Sequence, residues 1–275
     1  MRTDLHVHTF FSDGRMSPAG IMAKAAYHRL GAISITDHDT IAAYPEAVVA
    51  AEKWGITLIP GVELSTVVDG QSVHVLAYGF DLEHGGLRAH LLRFHDARID
   101  RAHEMVRQLA GLGAPVSFER VLEIAGRGTV GRPHVAQALV EAGWARSVPM
   151  AFDHFIGDAA PAYVTKHDAA PEPAIEAIHA AGGIAVIAHP GWMDGDVLDR
   201  LLAAGIDGAE VVHPSHNAPL RAHWAEVCER HGLLPTGGSD YHGHRPIEDD
   251  RFGGYLAPAD SVSQLLRLNG AWPAS

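Results

Sequence analysis

The chain has little of what defines several protein classes. It carries a single cysteine, Cys228, among its 275 residues, so an internal disulfide and a thiolate metal cluster are both excluded. No apolar run approaches the roughly 18 residues that a membrane span requires. The residues before His6 contain no apolar signal segment. We therefore expect a cytoplasmic protein that contacts no membrane.

Positive charge is also scarce. Lys and Arg number 21 against 33 for Asp and Glu, which gives a formal net charge of −12. Binding along a long nucleic-acid duplex needs neutralisation of many phosphates, so we expect no such partner. A small anionic substrate stays open, because bound metal ions would reverse the sign of the charge inside a cleft. Histidine, by contrast, is abundant, with 20 residues.

Short apolar segments alternate with helical patterns in the first and last thirds of the chain. The expected strands cover residues 5–8, 32–36, 56–63, 73–80, 184–188, 209–213 and 233–236. Repeated strand–helix units with short buried strands predict a parallel sheet. No Gly-rich nucleotide fingerprint follows the first strand, and the strands are many for one open sheet. A barrel is therefore favoured.

The middle of the chain has a different pattern. Helical signals follow one another over residues 87–112, 118–125, 133–142 and 150–156. No strand signal interrupts them. We therefore predict a helical insertion domain over residues 82–165, within a barrel that is formed by residues 1–81 and 166–275.

Histidines and carboxylates recur where an expected strand gives way to a loop. The active site of a parallel barrel lies at the carboxyl ends of its strands, so one rule would bring these residues into one cleft. Imidazole and carboxylate are ligands of zinc, manganese and iron, and several such ions in one cleft indicate a hydrolytic site. The residues are His6, His8, Asp13, Asp37, His38, Asp39, Glu63, His74, His134, His189, Asp240 and His242.

Three features of this set each predict a role for particular residues. His6 and His8 are two residues apart, so a strand would point both imidazoles to the same face. Asp37 precedes His38, and a carboxylate beside a ligand histidine commonly fixes its tautomer. Glu63 ends a buried strand, where an unpaired charge would be costly without a cation. A metal-bridging role for Glu63 follows.

Six motifs together resemble the PHP (polymerase and histidinol phosphatase) family of phosphoesterases, and within it the TrpH-like group. They are His6-x-His8, Asp13, Thr36-Asp37-His38-Asp39, Gly61-Val62-Glu63, Ala188-His189-Pro190 and Ser239-Asp240-Tyr241-His242. The resemblance extends from end to end of the chain. It implies an α/β fold, a distorted seven-stranded, TIM-like (β/α) barrel with two or three divalent ions, Mn²⁺ being favoured over Zn²⁺ or Fe²⁺.

The resemblance also implies which residues share an ion. The first ion would be held by His6, His8, Glu63 and Asp240. The second would be held by Asp13, His38 and His242. Glu63 would bridge to a third ion that is held by His74 and His134. Some members of the family carry histidine in place of Asp13, and the harder carboxylate favours Mn²⁺.

The activity implied is removal of the 3'-phosphate from nucleoside 3',5'-bisphosphates, such as adenosine 3',5'-bisphosphate, to leave 5'-monophosphates. Related members trim short RNAs from the 5' end. The partner would therefore be a small nucleotide or a short oligoribonucleotide. Asp37 and His189 are the expected catalytic residues. Whether His189 protonates the leaving oxygen or only hydrogen-bonds the phosphate stays open.

A phosphate outside the metal site would need its own cations. Arg binds phosphate through two parallel hydrogen bonds, and Lys binds it as a point charge. The candidates that flank the insertion are Arg127, Arg132 and Lys166. His216 and Asn217 follow a later expected strand and are candidates for contact with the base or the ribose.

Three other functions remain as alternatives. A phosphatase acting on histidinol phosphate would use the same motifs. A metal-dependent amidohydrolase also uses a barrel with His-x-His, although its usual bridging lysine is not evident in this chain. A non-catalytic accessory module is a third alternative, and the complete ligand set argues against it.

Overall fold

The computed structural model describes residues 1–165 and 169–268. Seven strands in this part of the chain form one sheet, in which each strand lies next to its neighbour in sequence. The strands are β1 Thr3–Val7, β2 Ala32–Ile35, β3 Thr57–Val68, β4 Gln71–Tyr78, β5 Ile184–Ile187, β6 Gly208–Val212 and β7 Leu234–Gly237.

Several helices begin or end at residues that favour a helix boundary. Ser17 caps the first helix through its side chain, with proline at the first helical position, and Gly55 and Gly232 end two others in the left-handed conformation. The helices are α1 Pro18–Tyr27, α2 Tyr44–Trp54, α3 Gly85–Gly111, α4 Phe118–Ala125, α5 Arg132–Glu141, α6 Val148–Ala151, α7 Pro171–Ala180, α8 Gly195–Ala203, α9 Ala218–His231, α10 Pro246–Arg251 and α11 Ala259–Leu268, with a π-helical turn at Phe152–Ile156. Within residues 1–165 and 169–268, no helix combines the length and the apolar character needed to cross a lipid bilayer.

The sheet is not parallel throughout. β1, β2 and β3 pair in parallel, as do β5, β6 and β7, but β4 runs antiparallel to both of its neighbours. The cause is the tight turn at Asp69 and Gly70, both of which have positive φ, because a short hairpin can join only antiparallel strands. The expectation of a fully parallel sheet was therefore wrong at β4.

The segment that follows β7 closes the sheet onto β1. The Asp240 N–H donates to the His6 carbonyl at 2.9 Å, and the His8 N–H donates to the Tyr241 carbonyl at the same distance. Val7 and Tyr241 form a parallel bridge. The prediction of a distorted seven-stranded barrel is confirmed, since the ring is complete except where these few hydrogen bonds replace a full ladder.

The interior of the barrel is apolar, with a few satisfied polar groups. Leu5, Ile59 and Leu76 are fully buried in it. The Tyr78 hydroxyl lies among them and donates to the Leu5 carbonyl at 2.9 Å. Asp4 is also buried, and its carboxylate accepts from the backbone of the segment after β7. Burial raises the pKa of Asp4 to about 6, although these hydrogen bonds oppose the shift.

The chain divides into two compact units. One consists of Met1–His90 and Ala169–Ser275, and the other of Leu91–Asp168. The described part of the second unit is helical around its own core, in which Leu109, Val121 and Leu139 are fully buried. The assignment of residues 82–165 as an insertion domain stays a prediction.

Gly238 is expected to tolerate no side chain. A Cβ there would lie 2.3 Å from the His6 Cβ and 2.5 Å from the His6 nitrogen, which would force the closing segment away from β1. Gly238→Ala should lower the free energy of unfolding by about 1–3 kcal/mol, as overpacking does elsewhere. Urea denaturation measures this.

Gly195→Ala is the matched control, because a Cβ at that position meets no atom within 4 Å. We expect it to stay within about 0.5 kcal/mol of the wild type, as substitutions in open surroundings do. Equal stability of the two variants would contradict this account of barrel closure.

Candidate metal centre

The carboxylate of Glu63 lies at the centre of a cluster of histidines. Its side chain is 1% exposed. Its Oε2 atom lies 3.3 Å from His6 Nε2, 3.2 Å from His8 Nε2 and 3.2 Å from His38 Nδ1. His6 and His8 extend from the end of β1, whereas His38 follows β2. The strand-end rule therefore does bring these residues together.

The other Glu63 oxygen contacts two further histidines. Glu63 Oε1 lies 2.7 Å from His74 Nδ1 and 3.2 Å from His189 Nε2. His74 is in the middle of β4, and His189 follows β5. The ring centroids of His74 and His189 are 5.3 Å apart. One carboxylate is thus shared by imidazoles on both of its oxygens, which is the expected arrangement for a residue that bridges ions.

Asp240 completes a first group of ligand atoms. Its Oδ1 lies 3.3 Å from both His6 Nε2 and His8 Nε2, and these two nitrogens are 3.1 Å apart. Two ligands of one tetrahedral ion lie about 3.3 Å apart when each metal–ligand bond is about 2.0 Å. Glu63 Oε2, at 3.2–3.3 Å from both histidines, has the same spacing.

A second group surrounds Asp13. Its Oδ1 lies 3.2 Å from His242 Nε2, and its Oδ2 lies 3.8 Å from His38 Nε2. One potential ligand atom from each of His8, Asp13, His38 and His242 can be chosen so that all four lie within 4.8 Å of one another. A further such group consists of His38, Glu63 and His74.

These residues fit divalent ions better than they fit a hydrogen-bonded network. Asp13 Oδ1 and His38 Nδ1 are buried and make no well-aligned hydrogen bond among the described residues, although His242 Nε2 and Glu63 Oε2 lie 3.2 Å from them, and buried polar atoms in this state are rare. Within the same part of the chain, the ion pairs of Asp13, Glu63 and Asp240 involve histidines alone. A histidine must be neutral to ligate a metal, and neutral imidazoles do not offset three buried carboxylates, so bound divalent ions would supply the compensating charge.

Burial and neighbouring charge shift the pKa values in opposite directions. Burial would raise the pKa of Glu63, but the imidazoles of His38 and His74 outweigh it and hold that pKa well below its usual range. Burial lowers the pKa of His38 to about 3, despite the carboxylates beside it. At His242 burial is outweighed by Asp13 and Asp240, which raise the pKa to about 10. The neutral form of His38 is the one that can ligate a metal.

His189 lies within the cluster. It contacts the same Glu63 oxygen as His74, whereas the resemblance pairs His74 with His134. His134 belongs to the second unit, where its Nδ1 accepts the Gly131 N–H at the start of α5. A metal-binding role for His134 stays a prediction.

Asp37 does not contact the imidazole that follows it in any described hydrogen bond. Its oxygens accept from the Thr9 N–H at 2.7 Å, the Thr9 hydroxyl at 2.6 Å and the Ser12 hydroxyl at 2.6 Å. The Ser12 hydroxyl in turn lies 3.4 Å from His8 Nδ1. Asp37 therefore orders the loop after β1 and acts on His8 through Ser12, because consecutive side chains of an extended segment point in opposite directions.

Two of the predicted substrate-binding residues make hydrogen bonds within the fold. His216 is 2% exposed; its Nδ1 lies 3.1 Å from the Val211 carbonyl, and its Nε2 accepts the Gly191 N–H at 3.4 Å. The Asn217 side chain caps α9 by accepting the Leu220 N–H at 3.1 Å. These groups are engaged within the fold, and substrate contact by either residue stays a prediction.

Phosphate binding by Arg127, Arg132 and Lys166 stays a prediction. Arg132 is paired with Asp158 at 2.6 Å, and its guanidinium lies within 5.7 Å of the ring centres of Phe152 and Tyr163. Arg127 is exposed. Lys166 lies outside the described residues.

Glu210 is the residue that sequence reasoning missed most clearly. It is fully buried on β6; its Oε1 lies 3.1 Å from His6 Nδ1, and its Oε2 accepts the His189 N–H at 2.7 Å. A carboxylate at the second nitrogen of a ligand imidazole fixes its tautomer and orientation. The available signal was a lone carboxylate within a short apolar strand, which is the argument already applied to Glu63.

His213 is the last residue of the expected strand 209–213, and the sequence motifs assigned it no role. Its Nδ1 accepts the Ser215 N–H at 3.1 Å, which leaves Nε2 to carry the proton of the neutral ring. That Nε2 is buried and lies 3.4 Å from Asp240 Oδ2. His213 thus faces the Asp240 oxygen that points away from His6 and His8.

Comparison with known proteins agrees with the family resemblance found in the sequence motifs. The PHP domain model matches residues 4–122. The 5'-3' exoribonuclease Rnm of Salmonella typhimurium is 35% identical over 247 residues, which cover 87% of this chain and 84% of that protein. The 3',5'-nucleoside bisphosphate phosphatase of Chromobacterium violaceum is 33% identical over 246 residues, covering 87% and 86%.

A third relative and a solved structure extend the comparison. The phosphoribosyl 1,2-cyclic phosphate 1,2-diphosphodiesterase of Eggerthella lenta is 31% identical over 257 residues, covering 88% of this chain and 95% of that protein. Among solved structures, a protein assigned as a metal-dependent phosphoesterase from Bifidobacterium adolescentis superposes with a TM-score of 0.88. It is 33% identical, and the match covers 97% of this chain and 96% of that one.

Glu210→Gln should weaken metal binding by about 10- to 100-fold, as the loss of a supporting carboxylate commonly does. A neutral amide cannot stabilise the proton on His6 Nδ1 as a carboxylate does. Calorimetric titration of the chelator-treated protein with Mn²⁺ measures the affinity. Glu172→Gln is the control, because Glu172 is 44% exposed and pairs with Arg200 on the surface. An unchanged Mn²⁺ affinity in Glu210→Gln would remove Glu210 from the site.

Proposed function

The chain belongs to the PHP-domain family and is a metal-dependent phosphoesterase, and on this premise we propose that it removes the 3'-phosphate from nucleoside 3',5'-bisphosphates. The C. violaceum relative, at 33% identity over 86% of its own length, carries the name of this activity. The proposed product is a nucleoside 5'-monophosphate.

The observation that carries the proposal is the sharing of Glu63 between histidines on both of its oxygens. We assign the first ion to His6, His8, Glu63 and Asp240, and the second to Asp13, His38 and His242. The third is assigned to Glu63, His74 and His189. When bound, divalent ions supply Lewis acidity, which favours ionisation of water and offsets the negative charge of the reacting phosphoryl group. We propose Mn²⁺ because Asp13 adds a hard oxygen ligand.

The side of the cluster that faces solvent defines where a phosphate can approach. The side chains of His6, His8 and Glu63 are at most 1% exposed. Four other side chains of the cluster are 20–31% exposed, namely His74, His189, Asp240 and His242. The reacting phosphate would enter from the exposed side and leave the buried side undisturbed. His189 Nε2 is directed at Glu63, so we assign it to metal binding rather than to proton donation.

The charge of the substrate supports a second binding site for phosphate. The ions can hold only the reacting phosphate, so a 5'-phosphate needs its own cations. Arg127, Arg132 and Lys166 are our candidates. The present partner of Arg132, Asp158, is 74% exposed, so an incoming phosphate could replace it at little cost.

Trimming of short RNA is the second candidate, because the S. typhimurium relative, at 35% identity, is named as a 5'-3' exoribonuclease. The two activities are chemically close. An exonuclease that releases 5'-monophosphates from the 5' end breaks the bond between phosphorus and a 3'-oxygen, and so does removal of a 3'-phosphate.

Glu63→Gln should lose both metal and activity. A neutral amide removes the negative charge that the bound ions share. We expect the metal content to fall from at least two equivalents in the wild type to fewer than two in the variant. The kcat should drop on the order of 10²-fold or more. Elemental analysis and phosphate release measure the two effects. Glu52→Gln, at an exposed position on α2, is the control. Near-wild-type turnover by Glu63→Gln would overturn the assignment.

Adenosine 3',5'-bisphosphate should be hydrolysed with a kcat/KM about 10-fold or more above that of 3'-AMP, because one charged contact contributes roughly 1.5–3 kcal/mol. Arg132→Ala or Lys166→Ala should erase that preference while leaving the metal content intact. Arg120→Ala, which removes an exposed arginine paired with Glu123 and Glu141, should leave it unchanged. Equal efficiency of the wild type on both substrates would instead indicate a general phosphomonoesterase.

A further inference from the structure

The loop between β5 and α8 presents a tryptophan to solvent beside the metal centre. Trp192 is 69% exposed and follows His189 by three residues. Three residues of chain span at most about 11 Å between Cα atoms, so the Cα atom of Trp192 lies within that distance of the Cα of a proposed metal ligand. Leaving so large an apolar surface in water forgoes burial that would stabilise the fold.

The backbone of this loop is held in place by buried side chains. Glu210 accepts the His189 N–H at 2.7 Å. Gly191, immediately before Trp192, donates its N–H to His216 at 3.4 Å and accepts from Trp224 Nε1 at 2.7 Å. Glu210, His216 and Trp224 are at most 2% exposed, so these contacts are protected from water.

This support gives the loop a defined conformation. Gly191 has a φ of +57°, a conformation that favours glycine. The Trp192 ring also contacts His223 of α9, with ring centroids 5.2 Å apart and planes inclined at 45°. The exposed tryptophan is therefore fixed at both its backbone and one edge of its ring, and most of the ring remains open.

We propose that Trp192 is a stacking platform for the base of the nucleotide substrate, an inference that rests on the proposed function. A nucleotide whose phosphate is held at the metal centre carries its base about one nucleoside length away, and the Cα of Trp192 lies no more than about 11 Å from that of His189. Stacking on an aromatic ring is tolerant of base identity, because every base has a π face. It would also anchor the base without a hydrogen-bonding residue such as His216 or Asn217.

The test compares Trp192→Ala with Trp54→Ala on two substrates. Trp54 is 46% exposed and ends α2, next to the amino end of β3 and so at the opposite end of the barrel. The substrates are adenosine 3',5'-bisphosphate and the base-free 1-O-methylribose 3,5-bisphosphate. Trp192→Ala should lower kcat/KM about 10-fold on the adenosine substrate, within the range known for base–aromatic stacking, and chiefly through KM.

The base-free substrate should be unaffected by Trp192→Ala, Trp192→Phe should retain most of the wild-type efficiency, and Trp54→Ala should change neither substrate. An equal loss on both substrates would mean that Trp192 only maintains the loop and would overturn the proposal. No loss on the adenosine substrate would overturn it as well.

A binding measurement separates this inference from the proposed function. In equilibrium dialysis with Mn²⁺ present, wild-type protein should bind AMP about 10-fold more tightly than ribose 5-phosphate, and Trp192→Ala should bind the two equally. If the wild type releases no phosphate from the bisphosphate but shows this pattern, the proposed function fails and the stacking role stands. If AMP keeps its advantage in Trp192→Ala, or has none in the wild type, the stacking role fails.

Discussion

The buried charge of Glu63 is the constraint on which the rest of the structure depends. A carboxylate at 1% exposure costs several kcal/mol unless cations or hydrogen bonds compensate it. Here the compensation must come from several strands at once, because its two oxygens contact imidazoles that follow or lie on β1, β2, β4 and β5. The barrel therefore has to close with one register, and the fold and the site are stabilised together.

The hairpin of β3 and β4 explains how one carboxylate reaches so many partners. Glu63 pairs with Leu76 and Ser65 pairs with His74 across the antiparallel ladder. Residues two apart on a strand share a face, and diagonal neighbours across two strands are within reach of long side chains. His74 is thus delivered to Glu63 from the middle of a strand, at 2.7 Å. An all-parallel barrel would have needed a ligand from a loop at this position.

Three buried carboxylates hold the proposed ligands in position through hydrogen bonds to their imidazoles, their loops or their backbone. Glu210 holds His6 and the backbone of His189, and Asp37 orders the loop that carries Ser12. Asp4 accepts from the Ser239 N–H and so positions the segment that closes the barrel. Each of these acids is buried and each fixes a backbone or an imidazole, so the ligand geometry does not rely on the ions alone. The same support extends outward, since Glu210 also anchors the loop that carries Trp192.

Local patterns in the sequence were sufficient for the architecture and for most of the cluster. Strand ends, helix caps and the change of period in the middle of the chain predicted the barrel and its successive helices. Because parallel strands deliver their carboxyl ends to one face, the grouping of His6, His8, His38, Glu63 and Asp240 could also be predicted. The tertiary structure decided what those rules leave open. It placed His189 beside His74 and Glu63, gave His216 and the Asn217 side chain hydrogen bonds within the fold, and put Glu210 next to His6. The reason is that a pattern shows where along a strand a residue lies, whereas its neighbours depend on pairing direction, register and packing across the barrel.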